Sequence, residues 1–78
     1  MELKITANLG QAKVTIEGLP GGSVELSAPL GSGLDINSPI YAAWLVATVH
    51  LEGLGYKVTG QTMIPRELNA CHYQVVRA

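Results

Sequence analysis

From Glu2 to Glu17 the chain reads ELKITANLGQAKVTIE, and apolar and polar residues alternate almost without a break. This stretch constrains the fold more than any other. A period of two is the signature of a strand with one face buried and one face wet. Leu3, Ile5, Ala7 and Leu9 point one way, and Glu2, Lys4, Thr6 and Asn8 point the other. After Gly10-Gln11 the pattern resumes, with Ala12, Val14 and Ile16 inside and Lys13, Thr15 and Glu17 outside. A two-residue loop that begins with glycine suits a type II′ hairpin turn. It would set Leu9 opposite Ala12, Ala7 opposite Val14 and Ile5 opposite Ile16, so the two apolar sets coincide. SVELSA is then a third strand, with Val24, Leu26 and Ala28 inside. A three-residue turn Pro20-Gly21-Gly22 before it would face Ile16 with Leu26 and Val14 with Ala28. Loops of two or four residues would instead turn a serine or a glutamate toward the core.

The Gly-rich stretch PLGSGLDIN leads into a helix, with Ser38 as N-cap and Pro39 in the first helical position. Gly53 or Gly55 supplies the stop. YKVTGQTMI reads as a fourth strand, IPRELNA as a turn or short crossing begun by Pro65, and CHYQVVRA as a last strand. The expected order is β-β-β-α-β-β. This is an α+β fold: an antiparallel sheet of about five strands with one helix packed on one face. With 78 residues the chain makes a single domain, residues 1–78. A domain of this size buries only about 60–65% of its unfolded surface.

The helix poses a problem. At 100° per residue Ile40, Trp44, Ala47 and Leu51 form the natural core face. The far side carries Ala42, Leu45, Val46 and Val49 at i, i+3, i+4 and i+7, a second apolar stripe. The whole chain is 47% hydrophobic and only 14% charged, so little polar surface is available to spread over such a helix. Two outcomes are open. The PLGSGL and MIPREL segments wrap the second stripe, or it is an interface, either between two copies or with another protein. Thr48, His50 and Glu52 place the later turns in contact with water.

The charges exclude several function classes. The net charge is −1, and Lys4, Lys13, Lys57, Arg66 and Arg77 are scattered. The clustered bases of a nucleic-acid binder are missing. The outward residues of the first three strands include no aromatic, so the stacking platform of a single-strand binder is missing too. The single cysteine, Cys71, allows no internal disulfide and suits a reducing cytoplasm. The N-terminus has no basic region followed by an apolar run, so no signal peptide is expected. The apolar stretch 40–49 is far shorter than the ~20 residues that span a bilayer. A soluble cytoplasmic protein is expected.

Convergent chemistry is sparse. Cys71 and His72 are neighbours on a strand and so point to opposite faces. His50 and Glu52 lack the i, i+4 spacing that shares a helix face. His50, Cys71 and His72 would hold zinc only if the fold gathered them. The sequences GSGLD and LPGGS match no phosphate loop. Glu17 and Glu25 form a carboxylate pair only in the sense of a solvated sheet face, with no apolar pocket to separate their pKa values. The expectation is a non-enzyme with no cofactor and no metal.

The opening meander ELKITANLGQAKVTIEGL and the single apolar helix SPIYAAWLVATVHLEGLGY carry a family resemblance. In element order and size, over most of its length, the chain resembles the small type I anti-CRISPR proteins encoded by phages and mobile elements. The resemblance implies stoichiometric inhibition in the host bacterial cytoplasm. Such a protein binds Cas subunits of a type I CRISPR surveillance complex and blocks target DNA recognition or nuclease recruitment. The near-neutral charge departs from the strongly acidic, DNA-mimicking members. A stable interface needs about 800 Å² on the inhibitor's side. The candidate contacts are Glu17, Glu25, Asp35, Glu52 and Glu67, facing a basic DNA channel, or alternatively the second helix stripe with Tyr41 as an aromatic anchor. The alternative function is a homo-oligomeric structural or regulatory subunit, in which Ala42, Leu45, Val46 and Val49 are buried between copies.

Overall fold

Alternation along the first strands, the Pro39 start and the glycine stop together dictate most of the architecture. The computed structural model describes residues 1–8, 10–27, 39–67 and 69–78, with side chains described from residue 43 onward within the helix. Among the described residues five strands and one helix follow in the order β1 (Glu2–Asn8), β2 (Lys13–Glu17), β3 (Val24–Ser27), α1 (Pro39–Gly53), β4 (Tyr56–Met63) and β5 (Ala70–Arg77). The strands form one antiparallel sheet in the spatial order β3-β2-β1-β5-β4. The helix lies across one face, which makes an α+β two-layer domain.

β1 sits in the middle of the sheet and sets its faces. Leu3, Ile5 and Ala7 are fully buried, and Ile5 lies between Ile16 of β2 and Cys71 of β5. The first hairpin has the expected register, with Ile5 opposite Ile16 and Ala7 opposite Val14. Its turn differs from the expected one. Asn8 pairs with Lys13, so four residues lie in the loop instead of two. The Gln11 N–H donates to the Asn8 carbonyl at 3.3 Å, and Ala12 takes a left-handed φ of 53°. Two and four have the same parity, so the apolar faces still coincide.

The second hairpin departs further. Ile16 faces Val24 and Val14 faces Leu26, a two-residue shift from the expected pairing. Ala28 lies outside the described residues. The connection runs over residues 18–23. The reason is Leu19, which turns into the core and is only 8% exposed. Burying a leucine is worth about 1.5–3 kcal/mol, more than the few tenths of a kcal/mol that loop closure adds for a loop of this length. Pro20-Gly21 then forms the centre of a β-turn closed by the Gly22 N–H on the Leu19 carbonyl at 3.0 Å. Gly21 has a φ of 94°, the left-handed position that a type II turn gives to glycine.

The helix begins at Pro39, as expected; the proposed cap Ser38 lies outside the described residues. Gly55, with φ 91°, supplies the stop, and its N–H donates to the Glu52 carbonyl at 3.0 Å. Ala43, Ala47 and Leu51 are buried against the sheet, while Trp44 is half-buried at the flank. The core face is therefore rotated toward Ala43 from the one expected. Two alanines in line let the helix approach the sheet closely, and the bulkier Trp44 packs beside that line. A β-bulge interrupts the β4–β5 ladder between Val58 and Gly60.

Candidate functional site

Among the described residues one helix lies on the five-stranded sheet, and its coverage thins toward β3. There Leu26, Ser27, Leu45, Val46, Val49 and His50 line an open groove of about 450 Å³. Val46 packs partly onto the core, so this member of the second stripe is only half available. Leu45 is 44% exposed and Val49 58% exposed. Among the described residues of the MIPREL segment, 63–67, none lines the groove, and the PLGSGL segment lies outside the described residues. Ala42 and Tyr41 belong to the first turns of α1, whose side chains are not among those described.

The groove continues along β3 into a second recess of about 480 Å³ at the C-terminal end of the helix. His50 borders both. The Leu19–Gly22 turn and Tyr56 also line the second recess. The Arg77 guanidinium lies over the Tyr56 ring, 5.6 Å from its centre, a cation–π arrangement that orients the side chain. Sequence reasoning missed Arg77, which looked like one of five scattered bases. Only the β4–β5 register, with Tyr56 opposite Arg77, brings it to this recess.

On the other flank of the helix Trp44, Leu45, Thr48, Gln61 and Tyr73 surround a third hollow of about 490 Å³. The Tyr73 hydroxyl donates to the Trp44 carbonyl at 3.2 Å. The Thr48 hydroxyl lies 2.9 Å from the same carbonyl and 3.2 Å from the tyrosine oxygen. Burial pushes the Tyr73 hydroxyl above the usual phenol range. It serves here to tie β5 to the helix.

The acidic candidates do not form one acidic surface. Glu17 and Glu25 are exposed on the outer face of the sheet. Lys13 contacts Glu25 at 3.1 Å, Lys4 contacts Glu67 at 3.8 Å, and Glu17 stands opposite Lys4. Lysines thus interleave with these carboxylates and flatten the field they would project. Glu52 lies on the helix, on the other side of the sheet. Asp35 lies outside the described residues.

Cys71 and His72 do point to opposite faces. Cys71 is fully buried beside Ile5, and His72 faces outward opposite Lys4. Burial pushes the Cys71 thiol up to about 11, while the Gln61 amide at 3.7 Å pulls weakly the other way. The thiolate, the reactive form, is therefore scarce at neutral pH. A thiol-specific disulfide reagent at pH 8 should label the native protein far more slowly than the urea-unfolded chain. Equal rates would show that Cys71 is accessible. His50, Cys71 and His72 do not converge, and among the described residues no group of three His, Cys, Asp or Glu could hold a metal. Among the same residues no helix is long and apolar enough to cross a membrane.

Comparison with protein-family models, with curated proteins and with solved structures finds no match.

Proposed function

We propose that this protein acts by binding another protein, as a stoichiometric cytoplasmic inhibitor of a type I CRISPR surveillance complex. The observation that carries the binding role is the groove beside β3. Leu45 and Val49 stand exposed on the helix next to Leu26, and together they line one apolar groove. Monomeric domains rarely leave contiguous apolar surface open unless it meets a partner. The choice of partner rests on the resemblance in element order and size to small type I anti-CRISPR proteins. Their mode of action needs contact area and no catalytic group.

The test is capture of a purified type I surveillance complex by the tagged protein, with three variants compared. The wild type is expected to retain Cas subunits near stoichiometry. Leu45→Glu combined with Val49→Glu should weaken retention at least about tenfold, because burying two unpaired carboxylates in an interface is costly. Glu17→Lys combined with Glu25→Lys should weaken it less, by altering a mixed-charge face at the rim. Failure of the wild type to retain any Cas subunit would remove the CRISPR partner. Full retention by the Leu45/Val49 variant would move the interface elsewhere.

The same exposed pair favours a second reading, a homo-oligomeric structural or regulatory subunit with the stripe buried between copies. Light scattering separates the two. A monomer across the accessible concentration range removes the oligomer, and a dimer dispersed by the Leu45/Val49 variant establishes it.

A further inference from the structure

The recess at the C-terminal end of α1 differs in kind from the groove. Its volume of about 480 Å³ lies within the roughly 300–1,000 Å³ of small-molecule sites. Every residue that lines it is among those described. β3 contributes its first residue, Val24, and the end of α1 contributes His50 and Leu54. The walls are mostly apolar, with Leu19, Pro20 and Tyr56 beside Val24 and Leu54. Arg77 and His50 bring N–H donors, and no carboxylate lines the recess. Such a lining, apolar with a few polar groups, is that of a ligand pocket. The Arg77 guanidinium lies over the Tyr56 ring, 5.6 Å from its centre. A guanidinium held over a ring keeps its N–H edges for a planar anion, which it grips by two parallel hydrogen bonds. Among the described residues the ion pairs join Lys4 to Glu67 and Lys13 to Glu25, and none involves Arg77. The helix end contributes partial negative charge nearby. The Leu54 N–H donates to the His50 carbonyl at 3.1 Å and the Gly55 N–H to the Glu52 carbonyl at 3.0 Å. These bonds satisfy part of the last turn, and the full charge of Arg77 outweighs what remains.

We infer that this recess binds a small organic acid, a carboxylate attached to an apolar body such as an aromatic ring. The carboxylate meets the Arg77 fork, His50 supplies a further donor, and the body lies against Leu19, Val24 and Leu54. The anion is a carboxylate because one guanidinium and one imidazole suit a single, planar negative charge. A phosphate group, with close to two charges at neutral pH, asks for more. The body is apolar because a polar one would lose hydrogen bonds to water that these walls do not replace. The lining residues run from Leu19 to Arg77 in the chain, so only the folded protein assembles the recess. A ligand that binds the folded state alone must raise its stability. The inference does not rest on the protein-binding role proposed above.

The experiment is titration of the isotope-labelled, full-length chain with 4-phenylbutyrate, followed by resonance shifts and by the melting temperature. At ordinary ligand efficiency a molecule of about a dozen non-hydrogen atoms binds at about 1 mM, so the titration runs to about 10 mM. Shifts should cluster at residues 19–24, 50–56 and 77, and the melting temperature should rise. The uncharged 4-phenylbutanamide should bind about tenfold more weakly, the size of one charge-assisted contact. Arg77→Gln should weaken binding of the acid by the same factor. Leu54→Glu, at a position 50% exposed, sets a carboxylate on the wall without disturbing the core and should weaken it comparably. Lys57→Gln removes the same charge from the other face of β4, one residue from Tyr56, and should leave the affinity unchanged. Absence of shifts, equal affinity for acid and amide, or an equal loss in Lys57→Gln would overturn the inference. So would inorganic phosphate that competes as well as the acid, which would make the recess a general anion site. A peptide with a C-terminal phenylalanine carboxylate that binds far more tightly than 4-phenylbutyrate would assign the recess to a protein terminus and overturn the small-molecule ligand.

Discussion

Leu51→Ala is expected to lower the stability of the domain by about 3 kcal/mol. Leu51 is fully buried, and among the described helix residues it is the largest fully buried side chain. Ala43 and Ala47, the other buried residues among those described in the helix, have little to lose. Truncating a buried leucine removes its transfer free energy and leaves a cavity that the neighbours fill only in part. A chain of 78 residues has roughly 4–12 kcal/mol of total stability by the usual per-residue range, so the loss is a large fraction of it. The melting temperature should fall by well over about 10 °C. Leu54→Ala, three residues on and 50% exposed, should stay within about 0.5 kcal/mol of the wild type. Thermal melts followed by circular dichroism check both. Equal melting temperatures for the two variants would mean that the helix does not dock through Leu51.

Gly18→Ala should be the most damaging of the loop substitutions, at about 2–3 kcal/mol. Gly18 has a φ of +104°, which L side chains rarely adopt. A Cβ there would also meet Leu3 Cδ2 at 3.2 Å and the Glu2 carbonyl oxygen at 3.3 Å. Leu3 is fully buried in the central strand, so neither contact can give way cheaply. Gly21→Ala isolates the conformational part. Its φ is +94°, but a Cβ there meets nothing within 4 Å, so only about 1 kcal/mol is expected. Urea unfolding of the two variants reads the difference directly. If Gly21→Ala cost as much as Gly18→Ala, backbone conformation alone would account for both, and the close approach to β1 would carry no energy.

The two glycines show how far residue patterns reach. Alternation through Ile5, Ala7, Val14 and Ile16 was enough to assign β1 and β2, their facing sides and their register. Turn chemistry was enough to put Pro20-Gly21 in a turn. The length of the second connection was not legible. It depends on whether Leu19 is a loop residue or a core residue, and the space for Leu19 exists only once the helix lies on the sheet. The two-residue slip of β3 follows from that one side chain.

The site divides in the same way. The second apolar stripe was visible in Leu45, Val46 and Val49 because helical periodicity is local. That Val46 leans inward while Leu45 and Val49 stay open depends on where two alanines let the helix settle. The acids were legible as residues but not as a surface. Their lysine neighbours come from cross-strand register, which joins positions far apart in the chain. Arg77 reaches the recess by the same route, through pairing opposite Tyr56.

The sequence alone determined which segments are strands and helix and which side of each is apolar, because those properties arise from side-chain periods of two and 3.6 over a few residues. Only the tertiary structure decided the β3 register, the open groove beside it and the company of Arg77. These depend on volume and on contacts between residues dozens of positions apart, where local periodicity carries no information.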